Sequence, residues 1–209
     1  EAAAAWAEAL TLSPEQEQTY RTVSNSLSGL RLFSEAADAL DQGRQHLGRD
    51  DLFQLELAHL YGLAGEYEQS ARFYLTVLAS DPAHVGTIQN RLARLAESAG
   101  AMEGFDVAIQ EAVATDPFNS AFREMEAWVA LERQQFSREL DATRAADRLT
   151  GRDGTAVYHF AEAALAAGAL NEADAALDVI LERYSDGPLV APALLHRARI
   201  AEARAREAG

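Results

Sequence analysis

Five histidines are the first residues to test for chemistry, and their spacing disperses them. His46, His59, His84, His159 and His196 never fall within four residues of one another, and no HExxH occurs, so no helical turn presents paired imidazoles to a metal. Carboxylate pairs such as Asp50 with Asp51 and Glu124 with Glu126 are frequent. The chain holds 33 acidic residues against 18 basic ones, however, so such pairs read as solvated faces rather than acid–base couples. Cysteine is absent, which removes disulfides, thiolate catalysis and cysteine-based zinc. No glycine-rich phosphate loop, nucleophile elbow or Ser/His/Asp arrangement is found. The expectation is a non-catalytic protein with no cofactor and no metal.

Composition narrows the partners. The 209 residues are 48% apolar, enough for a continuous core, and the net charge is −15, spread evenly along the chain. An even acidic coat disfavours nucleic acid, whose phosphates need clustered cations, and anionic membrane surfaces alike. No apolar run approaches 18 residues, so no insertion of this segment into a membrane is expected. All 18 basic residues are arginine, which reads as compositional bias.

The elements that position these residues follow a grid. Pro14, Gly48, Pro82, Pro117, Gly151 and Ser185 are separated by 34, 34, 35, 34 and 34 residues. A period of that length predicts stacked helical pairs, each packed only on its neighbours. The unit is clearest at 51–84. Leu57, Ala58 and Tyr61 share one helical face, Gly65 ends the first helix, and Tyr67, Ser70, Tyr74, Val77 and Leu78 form the inner face of the second. Asp81-Pro82 closes the unit, because proline cannot continue a helix interior.

This unit resembles the tetratricopeptide repeat (TPR), through Leu57, Ala58, Tyr61, Gly65, Tyr67, Tyr74 and Pro82, with Ser70 and Val77 as mild departures. The resemblance covers the chain: a second helix at 1–16 (Ala2, Trp6, Ala9, Leu10), full units at 17–50, 51–84, 85–118, 119–153 and 154–187, and a first helix at 188–209. It implies an all-α right-handed superhelix of about twelve helices in antiparallel pairs. Ala58, Ala93 and Ala161 are expected at the closest approach of paired helices. The unit at 119–153 is degenerate: Gln134 replaces the turn glycine, and Phe122, Met125 and Val129 fit a first helix shifted by one residue. The half units at both ends suggest an excerpt of a longer array, or ends that dock on something.

The resemblance further implies a concave groove lined by first helices. The residues expected to point away from the core are Arg21, Asn25, Leu55, His59, Gly62, Asn90, Arg94, Glu97, Tyr158, Glu162, Leu165 and, close by, Arg91. Trp128 lies in the core in one register and in the groove in the other. Arg21 and Asn25, one turn apart, resemble the cation–amide pair with which some members clamp a terminal carboxylate, but Glu56 stands where a further amide is wanted. The last helix carries Arg197, Arg199, Arg204 and Arg206 with a thin apolar face, and reads as a first helix rather than a membrane-surface helix.

The expected function is a protein-interaction scaffold that holds a partner polypeptide in the groove. The alternatives are a permanently docked subunit of a larger bacterial complex, or a regulatory region of a larger enzyme. The stretch at 181–203 is similar to periplasmic TPR proteins of envelope assembly, so a periplasmic or membrane-associated setting is favoured over a cytoplasmic one.

Overall fold

The computed structural model describes residues 2–208, and the side chains of residue 6 and residues 8–206. Glu1 and Gly209, the ends of the expected array, and the side chains of Ala2 and Glu207 lie outside the described residues. All regular structure among the described residues is helical: α1 (Ala2–Leu12), α2 (Glu17–Gly29), α3 (Phe33–Leu47), α4 (Gln54–Ala64), α5 (Tyr67–Ser80), a 3-10 turn (Pro82–His84), α6 (Val85–Ala93), α7 (Ala101–Thr115), α8 (Ser120–Glu132), α9 (Phe136–Thr150), α10 (Thr155–Ala166), α11 (Leu170–Arg183) and α12 (Val190–Ala208). The chain divides into two compact units, residues 1–111 and 112–209. In the first, α2 pairs with α3 and α4 with α5. In the second, α8 pairs with α9 and α10 with α11, and α12 lies on α11.

The backbone repeats with the sequence. Positive φ recurs at Arg31 (61°), Gly65 (84°), Gly100 (80°), Gln134 (55°) and Gly168 (79°), on the same grid of 34 or 35 residues. At four of these turns the next residue's N–H reaches back to the same carbonyl of the ending helix: Leu32 to Leu27, Glu66 to Tyr61, Gln135 to Ala130 and Ala169 to Ala164, at 2.8–3.1 Å. This closure satisfies carbonyls that a helix end leaves open, and it needs one left-handed residue. Arg31 and Gln134 therefore adopt a conformation that suits glycine.

Units close in two ways. Gly48 and Gly151 turn through φ of 62° and 61°. Asp81-Pro82 and Asp116-Pro117 turn instead with the aspartate accepting from the N–H two residues on, Ala83 at 3.1 Å and Phe118 at 3.3 Å.

The seams lie where small residues meet large ones. Leu57, Ala58 and Tyr61 are buried on α4, as are Phe160, Ala161 and Ala164 on α10. Ser70 takes the small place on α5 and donates to the Ala58 carbonyl at 2.6 Å, so its buried hydroxyl is satisfied. On α8, Phe122, Met125 and Val129 are buried while Ala127 and Trp128 are half-buried, which is the shifted register.

Ala93 departs from expectation: it is exposed, not at a seam. The reason is that α6 ends there, after nine residues, and the chain continues through turns to Gly100. Leu95 instead packs over Gly62, where an added Cβ would lie 2.7 Å from the leucine Cδ1. Gly62 is accordingly buried and faces no groove.

Candidate functional site

Arg21, Asn25 and Ser28 recur at i, i+4 and i+7 along α2, and Glu56, His59 and Leu60 face them from α4. With Ser24 and Leu40 they line a cleft of about 190 Å³ within the first unit. The helical period sets the α2 stripe, and the 34-residue step sets the opposing row on α4. Three of the expected groove residues, Arg21, Asn25 and His59, thus come together. Ser28 and Leu60 were not foreseen, although the i, i+4, i+7 spacing from Arg21 marks Ser28.

The arginine is already engaged. Its guanidinium pairs with Glu17 at 2.7 Å and with Glu56 at 3.1 Å, and lies 5.0 Å over the Phe53 ring. Glu56, read from the sequence as a departure from a carboxylate clamp, supplies the carboxylate itself. An incoming terminal carboxylate would exchange one exposed ion pair for another, a step worth about 0–1 kcal/mol. Asn25, Ser28 and His59 differ from Arg21. Among the described residues none of these three side chains makes a hydrogen bond or ion pair, and Asn25 and His59 are exposed. Together they offer amide, hydroxyl and imidazole groups that both donate and accept.

The other expected residues lie elsewhere. Asn90 and Arg91 are exposed on α6, and Arg94 is exposed just past its end. Neither arginine forms an ion pair among the described residues. Trp128 is half-buried on α8. Tyr158, expected to point away from the core, is buried on α10, because α12 brings His196 to 5.7 Å from its ring. Burial, with Glu162 nearby, raises the phenol pKa.

The basic stretch of α12 is used in packing. Arg197 pairs with Asp174 at 3.3 Å and Asp178 at 3.0 Å on α11, and Arg204 pairs with Asp174 at 2.8 Å and bonds Asn171 at 3.0 Å. His159 and His196 flank Glu162 at 3.2 and 3.6 Å. Among the described residues no three His, Asp or Glu side chains gather as metal ligands, and no helix is long and apolar enough to cross a membrane.

No protein-family model and no curated protein sequence matches the chain. Among solved structures, a thermophilic TPR protein of Thermus thermophilus aligns with 90% of this chain and 98% of its own, at 19% identity and a TM-score of 0.39. The paired helices and their recurring left-handed turns define an all-α helical-repeat protein. Its 34-residue period and buried Leu-Ala-Tyr seam make the repeat TPR-like.

Proposed function

We propose that this chain is a protein-interaction scaffold and that its α2/α4 cleft holds an extended segment of a partner polypeptide. The supporting observation is the pairing state of the cleft. Asn25, Ser28 and His59 are unengaged among the described residues, whereas Arg21 is held by Glu17 and Glu56. Such a cleft suits main-chain amides, which donate and accept alternately, better than a terminal carboxylate. An amide side chain next to an imidazole can bridge a peptide N–H and the following C=O, and about 190 Å³ admits a small side chain between them. Arg91 and Arg94 extend the reading: they are exposed cations on an acidic chain, suited to acidic residues flanking the bound segment.

Panning a random peptide library against the wild type and the Asn25→Ala/His59→Ala variant tests this. Peptides recovered by the wild type should lose at least tenfold in affinity on the double variant, with helical content unchanged. Blocking the peptide's C-terminal carboxylate as an amide should leave affinity within about twofold. Equal binding to both proteins removes the cleft, and dependence on the free carboxylate restores the clamp that Glu56 argues against.

A further inference from the structure

Three histidines of this chain have a carboxylate three residues away in sequence: His59, His84 and His159. Two of them use it. His84 lies 3.0 Å from Asp81, and His159 lies 3.2 Å from Glu162. His59 follows Glu56 just as His84 follows Asp81, yet it makes no ion pair among the described residues. The reason is on the opposite wall of the cleft: the Glu56 carboxylate is taken by Arg21 of α2, at 3.1 Å. Residues three apart share a helical face, so the free imidazole stands beside a carboxylate that another cation holds.

That arrangement changes with one proton. A neutral imidazole donates at one ring nitrogen and accepts at the other, whereas an imidazolium only donates. Imidazole is also the side chain whose charge changes between about pH 5 and 8. Protonation of His59 removes an acceptor from the cleft and sets a second cation beside Glu56. Arg21 can give the carboxylate up, because Glu17 holds its guanidinium at 2.7 Å from its own helix and the Phe53 ring lies 5.0 Å below it. Exposed ion pairs are worth about 0–1 kcal/mol, so the exchange costs little. No other charge intervenes. The charged and titratable residues lining the cleft are Arg21, Glu56 and His59, with Glu17 behind Arg21. From α3 comes only Leu40, and α5 and α6 line none of it.

We propose that His59 makes capture at the α2/α4 cleft depend on pH: as a neutral imidazole it holds the main chain of a partner segment, and as an imidazolium it turns to Glu56 and the segment is released. The inference rests on the cleft reading given above and adds a regulator to it. Two effects act in the same direction. The peptide N–H loses its acceptor, and the ring is drawn toward its own helix and away from the ligand. Asn25 and Ser28 carry no charge to gain or lose in this range, so the change falls on one residue.

Calorimetric titration at pH 8 and pH 5.5 tests it, with a peptide recovered at pH 8 from the random library. The peptide has no histidine and a blocked N-terminus, so it does not itself titrate in this range. The wild type should bind it roughly fivefold or more weakly at pH 5.5, the loss expected for one hydrogen bond. His59→Gln keeps a donor and an acceptor but gains no charge. Whatever its affinity, it should be the same at both pH values within about twofold. Glu56→Gln leaves the imidazolium no carboxylate to turn to, so its fall in acid should be smaller than that of the wild type. Far-UV circular dichroism at both pH values checks that the helices persist. Three results overturn the switch alone: wild-type affinity that is level with pH, an equal fall in His59→Gln, or a full fall in Glu56→Gln. The Asn25→Ala/His59→Ala variant decides the cleft separately. Equal binding to it at pH 8, or a library that yields no binder, removes the cleft reading and the switch with it.

Discussion

The α4/α5 and α8/α9 pairs hold the same places on the grid and settle their seams differently. In the first, Gly65 makes the left-handed turn and Ser70, five residues on, is buried with its hydroxyl on the Ala58 carbonyl. In the second, Gln134 makes the turn and Glu139 takes the place of Ser70. Glu139 is buried, its Oε2 has no hydrogen-bond partner among the described residues, and loss of water pushes its carboxyl up to about 7. Alongside it, α8 shifts its buried set to Phe122, Met125 and Val129. A helical pair thus tolerates a wrong turn residue and a carboxyl at its seam when the facing helix moves by one position. The consequence is a less stable pair, since an unpartnered buried acid and a left-handed glutamine both oppose folding.

The largest difference in stability is expected at the alanines. Ala58→Leu should overpack the α4/α5 seam and cost roughly 1–3 kcal/mol, whereas Ala93→Leu, on an exposed helix end, should stay within about 0.5 kcal/mol. Thermal melts of the two variants check this, and equal losses would return Ala93 to a seam.

Glu139 sets the next effect. A carboxyl whose folded pKa lies near 7 binds protons more tightly folded than unfolded, where its ordinary value is 4.5. Its contribution is intact below pH 4.5 and lost as pH rises through about 7. Glu139→Gln should therefore be more stable than the wild type by about 1–2 kcal/mol at pH 8, with the difference vanishing in acid. Denaturant titrations at several pH values read it; a gain that is the same at all pH values would point to packing instead.

Smaller still is the turn. Gln134→Gly should stabilise by roughly 0.5–1 kcal/mol, and Gly65→Ala should destabilise by about as much, because the same backbone conformation meets opposite side chains. Smallest is the Arg21–Glu56 pair, whose removal by Glu56→Gln should change stability by less than about 1 kcal/mol, and less again at high salt.

Much of this was legible in the sequence because turn residues are local. The grid marked the α2/α3, α4/α5, α8/α9 and α10/α11 pairs, and the shifted register of α8 followed from Phe122, Met125 and Val129. The early end of α6 was not legible, since Arg94 to Ala99 contains no breaker; past that end, Leu95 packs on Gly62. The burial of Tyr158 depends on α12, which carries its own pattern. In the cleft, the residue types of Arg21, Asn25 and His59 were readable, but their pairing states were not. Whether Arg21 is free depends on Glu56, 35 residues away and one helix over.

The most direct test is a titration of the isotope-labelled protein with a peptide recovered by panning, followed through backbone amides and the imidazole of His59. The cleft account predicts shifts confined to α2 and α4, centred on Asn25, Ser28 and His59, and absent from the Asn25→Ala/His59→Ala variant. Shifts centred on α12 or α1, or unchanged in that variant, would contradict it.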